Sequence, residues 1–93
     1  MKTADSTITA ENLVKLAEAK AEEGDSIEAL QNYSQAISLN PQYARAYGER
    51  GLLRANLGDK HGAREDYQQA AQLFLAQGSK ANYEMVLGYL QSL

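Results

Sequence analysis

His61 is the only histidine in the chain, and acid–base or metal chemistry would have to be built around it. One histidine without any cysteine offers no ligand set and no convergent partner, so a catalytic or metal site is not expected. The neighbouring acids Glu22-Glu23 and Glu65-Asp66 resemble a carboxylate pair only in one dimension. Adjacent residues of a helix point in different directions, so both pairs read as solvated charges. Gly78-Ser79-Lys80 lacks the spacing of a phosphate cradle and reads as a helix stop followed by a cap. Arg45, Arg50, Arg54, Lys60 and Arg64 form a locally basic stretch that could meet an acidic partner or RNA. Glu49, Glu65 and Asp66 are interleaved with it and favour pairing within the chain. Asn32-Tyr33-Ser34 matches a glycosylation sequon, but its Tyr falls at a core position. No cofactor, metal or enzymatic activity is expected.

Composition narrows the function further. The 93 residues suffice for one small domain with little surplus burial. A hydrophobic fraction of 44% with a single proline indicates a folded helical chain. A net charge of −3 argues against nucleic-acid or anionic-membrane binding. No segment approaches the length of an apolar membrane span, and residues 1–9 carry no apolar signal core, so a cytoplasmic, soluble protein is expected.

The elements that would carry any site are legible from their punctuation. Residues 1–8 are polar and aperiodic and are expected to form a flexible tail. Thr9 caps a first helix to about Glu23, with Leu13, Leu16, Ala17 and Ala21 as its apolar stripe. Gly24 stops it, and Asp25 with Glu28 reads as a capping box for a second helix to about Leu39. Ala29, Leu30, Tyr33, Ala36 and Ile37 are its expected buried face. Asn40-Pro41 reads as cap and first residue of a third helix to about Leu57. A fourth, longer helix follows Asp59 to about Gln77, and a fifth covers about Lys80 to Ser92. The short connections favour antiparallel neighbours.

Gly24-Asp25…Ala29…Tyr33…Ala36…Leu39 recurs 34 positions later as Gly58-Asp59…Ala63…Tyr67…Ala70…Leu73. This is the period of a helix-turn-helix array, and the chain resembles the tetratricopeptide repeat family. Its sentence W-x2-L-G-x2-Y…A-x3-F…P is read as Leu13-x2-Leu16-Ala17-x2-Lys20…Ala29-x3-Tyr33…Pro41. In the second repeat it is Tyr47-x2-Arg50-Gly51-x2-Arg54…Ala63-x3-Tyr67, with Leu75 in place of the proline. The resemblance implies an all-α, right-handed α-α superhelix of two antiparallel helix pairs and a capping helix. Repeat one would span about 10–43, repeat two 44–77 and the cap 79–92, in a single domain of residues 9–93. Lys20 and the missing proline suit the two ends of a short array, which would make it complete. Arg50 stands where the first repeat has Leu16, and Asp66 where it has Asn32, which predicts an Arg50–Asp66 ion pair between the helices of repeat two.

In this family the first helix of each repeat lines a concave groove. The resemblance places Glu11, Val14, Glu18, Ala21 and Glu22 there from helix one. Arg45, Gly48, Leu52, Ala55 and Asn56 would come from helix three, and Asn82 and Val86 from helix five. Leu52 is either a peptide contact or covered by helix five. Chaperone-binding relatives hold a C-terminal carboxylate with Lys, Asn and Arg where this chain has Val14, Glu18 and Glu49. Two carboxylates repel such an end, which argues against the C-termini of Hsp70 and Hsp90 chaperones. The expected partner is a protein or peptide, basic or amphipathic, in a role of adaptor or scaffold. The alternative is an assembly or oligomerisation subunit that uses its end surfaces, as a monomer or weak homo-oligomer. The Arg50-Gly51 and Gly62-Ala63…Asp66-Tyr67 wording is similar to repeats common in photosynthetic bacteria, which would suit an assembly factor for a membrane or photosynthetic complex.

Overall fold

The computed structural model describes residues 8–93. The expected tail at 1–8 lies outside the described residues except for Ile8. The described residues form an all-α fold of five helices without strands: α1 Ala10–Glu22, α2 Ser26–Leu39, α3 Ala44–Asn56, α4 Lys60–Ala76 and α5 Lys80–Ser92. At 17 residues α4 exceeds the 14 of α2, as the uninterrupted sequence implies. The chain divides into two compact units, Met1–Tyr43 and Ala44–Leu93. In the first, α1 packs on α2; in the second, α4 packs on both α3 and α5.

One turn is used three times. Gly24, Gly58 and Gly78 have φ of +86°, +90° and +75°, the left-handed region where a side chain is strained. Each closes the same pair of backbone bonds. Gly24 N–H donates to Ala21 O at 3.0 Å and Asp25 N–H to Lys20 O at 2.9 Å. The equivalents are Gly58 to Ala55 and Asp59 to Arg54, then Gly78 to Leu75 and Ser79 to Phe74. These are Schellman stops, which satisfy the last carbonyls of a helix. The following residue caps the next helix: Asp25 accepts from Glu28 N–H at 3.2 Å and Asp59 from Gly62 N–H at 2.9 Å. Ser79 occupies the same place but makes no side-chain cap bond.

Two expectations about the helices are corrected. The third helix begins at Ala44, three residues later than Pro41. Asn40 Oδ1 accepts from Gln42 N–H at 3.1 Å, and Tyr43 N–H donates to Asn40 O at 3.1 Å. Asn-Pro therefore builds a turn, with Pro at its second position, before the helix starts. In α1 the buried side chains are Val14 and Ala17, whereas Leu16 stays 45% exposed. Residues 14 and 17 lie one turn apart on a single face, and Leu16 is rotated about 100° from Ala17. The small pair meets a second helix whose own buried face is Ala29, Asn32, Tyr33 and Ala36.

In the second unit the core is Ala63, Tyr67, Ala70, Ala71 and Val86, with Phe74, Tyr83, Tyr89 and Leu90 partly buried against it. Three alanines of α4 let α3 and α5 approach it closely. Gly51 shows how closely: a Cβ there would lie 2.8 Å from the Tyr67 ring. The rings of Tyr67 and Tyr89 meet at 5.4 Å between centroids, tilted by 39°, and tie α5 to α4.

Candidate functional site

Within the second unit, α4 is the common partner of α3 and α5, and a cleft opens between those two helices. Arg45, Gly48, Glu49 and Leu52 supply one wall, at the i, i+3, i+4, i+7 spacing of one α3 face. Asn82, Met85, Val86 and Tyr89 supply the other from α5 at the same spacing, and Phe74 of α4 contributes the floor. The cleft encloses about 280 Å³. That is below the usual size of a small-molecule or cofactor site and fits one or two large side chains of a partner.

Five residues placed in a groove by register come together here: Arg45, Gly48, Leu52, Asn82 and Val86. Leu52 remains 37% exposed, so α5 flanks it without covering it. Val86 is 1% exposed and belongs to the core beneath. Gly48 is buried, and a Cβ would meet Ala70 Cβ at an ordinary 3.8 Å, so the missing side chain opens the cleft without relieving a clash. Asn56 is exposed and Ala55 half-buried, and neither lines the cleft. On α1, Glu11 and Glu22 are exposed and Glu18 and Ala21 half-buried. Val14 is the correction: at 1% exposed it offers a ligand no surface, because it shares with Ala17 the α1 face that packs in the first unit.

Sequence reasoning missed Phe74, Met85 and Tyr89 as cleft residues. The signal for Met85 and Tyr89 was their spacing of three and seven from Asn82. Phe74 had none, because it comes from the second helix of its repeat.

The electrostatics of the site are settled internally. Arg45 Nε donates to Glu49 Oε2 at 2.7 Å, which neutralises the charged lip of the cleft. Arg50 Nε and Nη2 donate to the two oxygens of Asp66 at 2.9 and 2.8 Å, and Arg54 Nη1 donates to Oδ2 at 3.0 Å. The Arg50 guanidinium also lies 5.9 Å from the centre of the Tyr47 ring. Three of the five cations in the basic stretch are thus paired inside the unit. Burial raises the pKa of Tyr67 above its ordinary 10.0, and the charges of Tyr89 and Asp66 push it in the same direction.

His61 is exposed, its Nε2 3.3 Å from Glu65 one turn on. Among the described residues no group of acids and histidine is arranged to hold a metal, and no helix is long and apolar enough to cross a membrane.

Two family models match the chain: "TPR repeat" over residues 17–58 and "Tetratricopeptide repeat" over residues 44–76. Tetratricopeptide repeat protein 36 of Danio rerio is 44% identical over 66 residues, which is 71% of this chain and 35% of that protein. The Homo sapiens protein of the same name is 41% identical over the same length. The chain spans about a third of the length of these curated relatives. Among solved structures, the crystal structure of MamA superposes with a TM-score of 0.67 at 25% identity, over 91% of this chain and 56% of that one.

Proposed function

Because this chain belongs to the tetratricopeptide repeat family, we propose that it is a protein-interaction adaptor whose α3–α5 cleft takes an apolar or amphipathic segment of another protein. The observation that carries this reading is the half-open Leu52, set among Phe74, Met85 and Tyr89 with Asn82 at the edge. An apolar wall with a few polar groups at its lip is how a groove receives a helix or an extended peptide. The Arg45–Glu49 pair leaves no net charge at the lip, so side-chain shape selects the partner there. The exposed acids of α1, taken by themselves, favour a basic segment. A C-terminal carboxylate is disfavoured: Val14 is buried and Glu18 and Glu49 are acids, so no cradle of cations is available at those positions.

The test is a selection of peptides from a displayed library on the purified chain, followed by calorimetry with the selected sequences. Leu52→Asp and Met85→Asp should each weaken binding by about tenfold or more, the loss of one well-filled apolar contact. Unchanged affinity in both variants would place the site elsewhere.

A further inference from the structure

A second apolar surface lies on the other side of α5, and the adaptor reading does not use it. Leu75 of α4 and Tyr83, Leu87 and Leu90 of α5 line a shallow depression of about 490 Å³, with Gln68 and Gln72 at its margin. It continues past the end of α4, where Leu75 and Tyr83 adjoin Lys80 and Glu84. Leu75 is 58% exposed.

We infer that this face pairs with the same face of a second copy of the chain. Three observations single out a copy as the occupant. First, the depression contains no formal charge, so a chain of net charge −3 can meet itself there without bringing like charges together. Second, its polar residues, Gln68, Gln72 and Tyr83, each both donate and accept, so they can bond to whatever polar group a second copy places opposite them. Third, the rim holds one cation and one acid a turn apart, Lys80 and Glu84. Two antiparallel α5 helices bring Lys80 of one copy opposite Glu84 of the other, twice over. The two adjoining depressions are lined by ten residues in all, fewer than the 20–30 a side of a standard interface. The dimer is therefore weak and concentration-dependent, with a dissociation constant on the order of micromolar or above.

Sedimentation equilibrium of the full chain, from low micromolar to near millimolar, tests this. The expected result is a reversible monomer–dimer equilibrium. Leu75→Glu should raise the dissociation constant about tenfold or more by placing two acids in the buried patch. Lys80→Glu and Glu84→Lys should each weaken it severalfold, and the double swap should restore it. Because these two positions are exposed, the charge swap remains readable even where Leu75→Glu perturbs folding, which circular dichroism reports. Leu52→Asp should leave the equilibrium unchanged, which separates this face from the α3–α5 cleft. A monomer throughout, a dimer indifferent to Leu75→Glu, or a double swap that fails to recover association overturns the inference.

Discussion

Arg50 and Asp66 meet as a two-pronged pair across α3 and α4, at 2.9 and 2.8 Å, with the Asp66 side chain 4% and the Arg50 side chain 16% exposed. Arg54 adds a third bond to the same carboxylate at 3.0 Å. A carboxylate taken this far from water is tolerable only because its oxygens are met by fixed guanidinium donors.

Removing one partner should therefore cost more than removing both. Asp66→Ala takes the shared carboxylate from the part-buried guanidinium groups of Arg50 and Arg54 and should lower stability by about 3 kcal/mol. The double change Arg50→Leu with Asp66→Asn imports the residues of the first repeat, Leu16 and Asn32, and should stay within about 1 kcal/mol of the parent. Urea denaturation of the two variants side by side decides the matter; equal losses would mean that the pair is not coupled.

Gly51→Ala tests the closeness of α3 and α4. The new methyl would stand 2.8 Å from the Tyr67 ring and 3.2 Å from Asp66 Cβ, and neither neighbour is the free end of a flexible chain. A loss of about 1–3 kcal/mol is expected from overpacking, read as a lower midpoint in thermal or urea unfolding. A neutral result would show that the two helices can part without penalty.

Ser79→Asp should stabilise the protein. Asp25 and Asp59 cap α2 and α4 through their carboxylates, whereas Ser79 leaves the first N–H groups of α5 without a side-chain acceptor. An acid at that place adds a cap bond and meets the positive end of the helix dipole, worth about 0.5–1 kcal/mol. Slower amide exchange in the first turn of α5 would accompany the gain; unchanged exchange there would contradict it.

Stability should fall at alkaline pH through Tyr67. Its folded pKa is raised above 10.0 by burial first, then by Tyr89 and Asp66. Below pH 10 the tyrosine is neutral in both states and its contribution is complete. As pH rises through 10 toward the folded value, the unfolded chain ionises first and stability is lost. Tyr67→Phe should flatten that part of the stability–pH curve. A curve of unchanged slope would assign the alkaline loss to other tyrosines.

Much of this was readable in the residues because local rules and packing agreed. The Gly-Asp stops at 24 and 58 are decided by one left-handed residue and one cap, and both are local. The Arg50–Asp66 pair was legible because two departures from the first repeat occur at positions that face each other. Val14 was misjudged because α1 carries apolar residues around much of its surface, and only the helix packed against it determines which are covered. Asn40-Pro41 was misjudged because asparagine caps a helix and builds a turn by the same bond. The cleft was half legible: register found its α3 wall, while Phe74 required knowing how far α3 and α5 stand apart over α4.

The duplicated hairpins raise a problem of identity. During folding α4 is offered two first helices of nearly the same pattern, α1 and α3. With α3 it finds two guanidinium groups for Asp66; with α1 it would find Leu16 and a single flexible ammonium, Lys20, at the matching places. Asn32 of α2, at the matching place in the first repeat, is uncharged and calls for no cation from its neighbour. The carboxylate of Asp66 is thus matched to α3 and not to α1, and should act as an address that keeps each helix with its own mate.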